Sequence, residues 1–210
     1  MNNVTMRPAG SDIASDAQAF AEFAEMASDG LFTRLMGGRA ETILAKMFAH
    51  PANDNSYQYT RFIMVGDQFA GMINAFTGAQ KKANRRQVGW LYLRYCTWRM
   101  PRLFAVGMKF RRILEFMDRV SDDAYYIQMV GVYPQFRGRG LSRLILADAE
   151  QAAHQAGCVS LALDVDIHNE IAIAAYTSYG FHISASSPVV QSGQDEVSVH
   201  RMVKTLPTKS

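Results

Sequence analysis

The chain has 210 residues, 49% of them hydrophobic and 20% charged, an ordinary balance for a soluble globular protein with a real core. A net charge of +3 is too small to argue for a nucleic-acid partner, and the length suits one domain, or one domain with an insertion. The first ten residues, "MNNVTMRPAG", lack the basic and apolar regions of a signal peptide, and no apolar run approaches the roughly 20 residues that span a bilayer, so a cytoplasmic protein is expected.

In chain order, "NVTMRPA" reads as a strand. "SDIASDAQAFAEFAEMASDG" reads as a helix capped by Ser11 or Asp12, with Ile13, Phe20, Phe23 and Met26 on one face and a stop at Gly30. A second helix is expected over "AETILAKMFAH", ended by Pro51, followed by the loop "PANDNS". "YTRFIMV" and "FAGMINAF" read as strands joined by a turn at Gly66–Asp67. No acidic residue occurs between Asp67 and Glu115, where ten lysines and arginines fall from Lys81 to Arg112. Within this basic insert of about residues 80–120, Pro101 can open a helix whose apolar face is Leu103, Val106, Phe110, Ile113, Met117 and Val120.

"AYYIQMVGV" then reads as a strand. A helix follows with the face Leu141, Leu144, Ile145, Ala149 and Ala152, then the apolar strand "CVSLALDVDI". "HNEIAIAAYTSYG" is a short helix with Asn169 as its N-cap and Gly180 as its stop. "FHISASS" and "DEVSVHRMVKTL" close the chain as two strands. The order implies an α/β fold with a partly antiparallel sheet. Cys96 and Cys158 form no CxxC pair and read as buried thiols, and the five histidines form no spaced set, so no metal is expected.

Between strand and helix lies "VYPQFRGRGLSR". The first N–H groups of a helix lack internal partners and carry partial positive charge, so a strand delivered to such an end makes an anion site. Gly138 and Gly140 let an anion approach the backbone, small Ser142 keeps the first turn open, and Arg137 and Arg139 add charge. The P-loop is excluded for lack of a lysine at acceptable spacing. The dinucleotide fingerprint GxGxxG has support from Asp164 and Asp166 beyond the next helix, but its third glycine is Arg143 and "YPQFR" is long for its tight turn.

From Tyr125 to Phe181 the sequence resembles the GNAT family of N-acetyltransferases. Arg137-Gly-Arg-Gly140-Leu-Ser142 matches that family's Q/R-x-x-G-x-G/A signature except for its final serine. "VGVYPQF" resembles the strand and loop before the signature, and Asn169 to Phe181 resembles the later Asn…Ala…Tyr…Gly-Phe segment. The resemblance implies a mixed, mostly antiparallel sheet flanked by helices, with splayed central strands at a coenzyme A site. It implies that the diphosphate of acetyl-CoA, the acyl-donor substrate, rests on the N–H groups of Gly138, Arg139, Gly140, Leu141, Ser142 and Arg143. The pantetheine arm would lie along Val130, Gly131 and Val132, with Asn169 on its other side. Tyr176 falls where the family's acid protonates the departing thiolate. For the base, Asp164 is the candidate if it is buried without a partner; Asp166 and His168 are weaker ones. The expected acceptor is a primary amine of a small molecule, peptide or protein. The basic insert reads as a wall for a carboxylate-bearing acceptor, a dimer contact or membrane-surface element, or a solvated face. A silent coenzyme A-binding regulatory module and a dinucleotide-binding protein are the alternatives.

Overall fold

The computed structural model describes residues 4–207 except Asp12, Asp29 and Gln194. Strand β1 (Val4–Pro8) precedes helices α1 (Ala14–Ala27), α2 (Leu31–Met36) and α3 (Ala40–Phe48). The hairpin β2 (Thr60–Val65) and β3 (Gln68–Thr77) follows, turning at Gly66 as expected. The basic insert folds as α4 (Gly78–Cys96), α5 (Met100–Lys109) and α6 (Arg111–Asp118). Strand β4 (Ala124–Val132), helix α7 (Leu141–Gln155), strand β5 (Ser160–Asp166) and helix α8 (Glu170–Ser178) carry the strand–helix–strand unit. The chain closes with β6 (His182–Ser186), a small separate hairpin of β7 (Val190–Ser192) and β8 (Asp195–Val197), and β9 (Val199–Thr205).

Seven strands form one sheet in the order β1-β2-β3-β4-β5-β9-β6. Every pairing is antiparallel except β4 with β5. The sheet is covered on both faces, which explains why β2 and β3 read as nearly continuous apolar runs. On one face, Leu141, Ile145, Leu146, Ala149 and Ala153 of α7 pack on Ile73, Ile127 and Leu163. On the other, Phe20 and Phe23 of α1 and Leu44 and Phe48 of α3 pack on Phe62 and Met72.

Several elements differ from the sequence reading. Helix α1 is capped at Ile13, with no side-chain cap bond; Asp12 lies outside the described residues. The first-turn acid Asp16 is fully buried instead. Its carboxylate takes both Arg7 guanidinium nitrogens, at 2.8 and 2.6 Å, and the Gly10 N–H at 2.9 Å. On α7 Leu144 is exposed and Ala153, not Ala152, is buried. The single helix expected from Pro101 to Val120 breaks at Phe110, which ends α5 by donating to the Val106 carbonyl and caps α6. Of its apolar face only Ile113 and Val120 are fully buried. The insert was expected to be helical, but no helix was placed ahead of Pro101; α4 fills that stretch, and a capping box opens it, with Thr77 Oγ1 accepting from Gln80 N and Gln80 Oε1 accepting from Thr77 N. Among the described residues no helix is long and apolar enough to cross a membrane.

Burial alone would raise the Asp16 carboxyl, but the Arg7 guanidinium and the Gly10 N–H outweigh it and hold the group below its ordinary value. A depressed carboxyl contributes stability above its unfolded pKa, about 3.9, that is lost as pH falls through the lower folded value. Asp16→Ala therefore lowers unfolding free energy by about 2 kcal/mol near neutrality, because it strands Arg7 and an N–H group. Urea titrations of both proteins check this, and their difference shrinks at strongly acidic pH.

Candidate active site

The site is built where β4 and β5 part. They pair in parallel only from Ala124↔Ser160 to Ile127↔Leu163. Beyond this, β5 stays on β9 through Asp166, while β4 stays on β3 through Val132. The β5-facing edge of Gln128–Val132 thus has no strand beside it. The β3–β4 ladder also shifts register between Asn74 and Ala75, which pair with Met129 and Ile127, so Gln128 is the extra, bulged residue. Its Nε2 donates to the Asp54 carbonyl at 3.2 Å, which seats the bulge against the loop before β2. Gly131 lies close under α1: a Cβ there would come within 3.2 Å of Met26 Cε and 3.4 Å of Phe23 Cδ1.

The chain leaves β4 through a single turn at Pro134–Phe136 and reaches α7 through Gly138 and Gly140, with φ +73° and +75°. A Cβ on either glycine would meet nothing within 4 Å. The left-handed backbone, rather than crowding by the protein, is what requires glycine here. Helix α7 begins at Gly140 without a side-chain cap. The N–H groups of residues 138–142 have no acceptor among the described residues; the first bonds of the helix are Arg143 N and Leu144 N to the Gly140 carbonyl. Arg137 Nε donates to the Val132 carbonyl at 3.2 Å, Arg139 Nη2 to the Gln135 carbonyl at 3.3 Å, and the Arg143 guanidinium lies 5.8 Å from the Tyr179 ring centre. None of the three pairs with a carboxylate among the described residues, so their charge is uncompensated. A row of free N–H groups, two open glycines and unpaired cations fits a diphosphate.

Across the fork, Asn169 caps α8, its Oδ1 accepting from Ala172 N at 3.1 Å. Tyr176, two turns on, is partly buried with its ring centre 5.9 Å from that of Phe181. Its hydroxyl has no hydrogen-bonding partner among the described residues, and burial pushes its pKa up to about 12. Tyr179 serves packing: its hydroxyl donates to Glu150 Oε2 at 3.0 Å, and Lys204 lies over its ring.

Asp164 does not meet the condition set for a base. Its side chain is 1% exposed, but it is bound by Arg201 Nε at 2.5 Å, Arg201 Nη2 at 2.9 Å and the Tyr126 hydroxyl at 2.9 Å. The partner sits across the β5–β9 ladder, where Asp164 faces Arg201. Asp166 is exposed and accepts from His168 N, shaping the loop into α8. Sequence reasoning did not single out Asp54, Lys81 or Asn84, which gather at the bulged Gln128, a residue it weighed on β4 only as no ordinary base. The Lys81 Nζ is 4.5 Å from the Tyr126 ring centre, and the Asn84 Nδ2 donates to Asp54 Oδ1 at 3.0 Å. The capping box at Thr77 was the one signal that could have placed them, since it puts Lys81 and Asn84 on the same side of a helix.

The sequence profile of the Acetyltransferase (GNAT) family matches residues 41–181, more than half of the chain. The chain belongs to the GNAT family. The uncharacterized N-acetyltransferase YdgE of Bacillus subtilis (strain 168) is 39% identical over 56 residues, which are 27% of this chain and 36% of that protein. The match thus spans about a third of that relative's length. Among solved structures, an N-acetyltransferase from Staphylococcus aureus Mu50 superposes with a TM-score of 0.66 at 20% identity, covering 95% of this chain and 99% of that one. The ribosomal-protein-S18-alanine N-acetyltransferase of Escherichia coli gives 0.57 at 13% identity, over 99% and 97%. These likenesses carry the GNAT fold, a mostly antiparallel sheet flanked by helices.

Asp164→Asn leaves Arg201 buried without its counter-ion and lowers stability by about 3 kcal/mol. Thermal unfolding checks this, and a change under 0.5 kcal/mol would contradict the structural role of the pair.

Proposed function

We propose that this chain is an acyl-CoA-dependent N-acetyltransferase, a single domain with a basic helical insert, that transfers acetyl directly to a primary amine. The observation that carries the reading is the open strand edge that leads into a row of free N–H groups, with α8 and its unpartnered phenol following the other strand of the fork.

Gly138, Arg139, Gly140, Leu141 and Ser142 would hold the donor's diphosphate on their N–H groups; the Arg143 N–H, also expected there, is taken by the Gly140 carbonyl, so Arg143 would add only side-chain charge, with Arg137 and Arg139. The edge of Val130, Gly131 and Val132 would pair with the amides of the pantetheine arm, replacing the missing ladder. Asn169 would face the arm from α8. When bound, the donor supplies a thioester carbonyl open to attack by an amine. Tyr176 holds a proton at its phenol oxygen throughout the working range, because a pKa of about 12 keeps it neutral there. It can therefore give that proton to a departing thiolate. Apolar neighbours around it exclude water from the same side.

Calorimetry with acetyl-CoA and with NADH tests the donor: acetyl-CoA binds and NADH does not. NADH binding without acetyl-CoA binding rejects the reading. Tyr176→Phe lowers kcat about 100-fold with acetyl-CoA affinity within twofold of wild type. A silent binding module would show affinity without thiol release for wild type as well. Gly140→Val abolishes acetyl-CoA binding in the same titration, because valine at a left-handed φ costs about 1–2 kcal/mol and redirects the first-turn N–H groups.

A further inference from the structure

The N-acetyltransferase reading leaves the acceptor's proton without a receiver, since Asp164 is committed to Arg201. A second buried-side carboxylate at the fork is Asp54. Its backbone carbonyl accepts from the bulged Gln128, so it is anchored where β4 parts from β5. Its Oδ1 accepts from Asn84, the buried polar residue of α4, whose own Oδ1 accepts from the Tyr59 hydroxyl at 3.3 Å. Its Oδ2 has no hydrogen-bonding partner among the described residues. Lys81 from α4 and Asp118 from α6 face it, as does Tyr59 from the turn at Tyr57–Tyr59. Tyr126, Asp164 and Arg201 face Lys81 from the sheet. Burial raises the Asp54 carboxyl, outweighing the Asn84 bond and Lys81.

Outside this carboxylate a surface hollow of about 430 Å³ is lined by Ala52, Ala83, Arg86, Gln87 and Trp90. Its lining comes from the loop that carries Asp54, through Ala52, and from the helix that carries Asn84, through Ala83. Arg85 is spent on Asp118 at 3.6 Å, whereas Arg86 has no ion pair among the described residues. Trp90 is 45% exposed and stacked by Arg94 at 5.0 Å. A free guanidinium beside an exposed indole suits an anionic group on an apolar stem.

We propose that Asp54 is the group that deprotonates the acceptor, and that the acceptor is an amine bearing an anionic group, held in the Arg86–Trp90 hollow. The inference rests on the N-acetyltransferase reading above. Asp54 takes one proton from the acceptor ammonium. The freed nitrogen lone pair attacks the thioester carbonyl, a C–N bond forms and the C–S bond breaks. The thiolate takes the Tyr176 proton, and the surplus proton on the amide nitrogen returns to the Tyr176 oxygen. Asp54 releases its proton to solvent, so one proton leaves per turnover.

The test uses the full chain with acetyl-CoA and three probes: the dipeptide phenylalanyl-glutamate, phenylalaninamide and spermidine, followed by thiol release. The dipeptide has a kcat/KM at least about tenfold above the other two, and Arg86→Gln raises its KM about tenfold with kcat within twofold. Asp54→Asn lowers kcat about 100-fold near neutral pH, with an unchanged or raised Tm, and its rate climbs as the probe amine deprotonates in solution. Wild-type kcat itself falls on the acid side through a single ionisation above the ordinary aspartate value, a readout that does not depend on the variant folding. A preference for spermidine, an Asp54→Asn protein with wild-type rate and pH profile, a wild-type kcat with no acid limb, or no thiol release from any probe overturns the inference. Calorimetry with acetyl-CoA separates the two levels: binding retained confines the failure to Asp54 and its hollow, whereas binding lost in wild type removes the N-acetyltransferase reading itself.

Discussion

The parting of β4 from β5 is the constraint on which the rest of the molecule depends. Two parallel strands that begin hydrogen-bonded at Ala124 and Ser160 separate after Ile127 and Leu163 because each is held more firmly on its other side. All of β5 is laddered to β9. Strand β4 is laddered to β3, bulged at Gln128, and pressed by Phe23 and Met26 of α1 at Gly131. A strand edge inside a protein must find partners for its polar groups. Here no strand meets that obligation past Ile127, and the free N–H groups at the start of α7 continue the row of unmet donors.

The two sides of the fork differ in chemistry. On the side of α7 and α8, Tyr176 stands in an apolar cluster with Ile145, Phe181 and Ile173. On the side of α1 and α4, Asp54, Asn84, Lys81, Tyr126, Asp164 and Arg201 form a polar cluster. An apolar wall keeps a phenol protonated, while a polar wall can move charge. In the proposed reaction, acid and base work would fall on opposite faces of one sheet.

The parts legible in the sequence were those set by local backbone demands. Gly138 and Gly140 before an uncapped helix, Asn169 as an N-cap and Gly180 as a stop each act over a few residues. The nearly continuous apolar runs of β2, β3 and β5 were legible for the same reason. Helix α4 was hidden because it presents no continuous apolar stripe; it buries Asn84 alongside Leu91 and Cys96. The face from Leu103 to Val120 was read as one helix, but Phe110 ends its first half, and only Ile113 and Val120 of the six are buried. Asp164 was misjudged because its partner lies 37 residues away, and Asp54 was missed because its meaning comes from Gln128, 74 residues on. Long-range pairing leaves no trace in periodicity.

Arg201 does more than neutralise Asp164. From β9 its Nη1 donates to the Arg119 carbonyl, and its Nη2, shared with Asp164, also reaches the carbonyls of Phe116 and Met117, where α6 runs out of internal donors. One guanidinium therefore joins the innermost sheet to the end of an insert whose outer helices bury little. The C-terminal end of α6 is thereby fixed to the same guanidinium that pairs with β5's one buried carboxylate, so the end of the insert and the strand register are set by a single side chain.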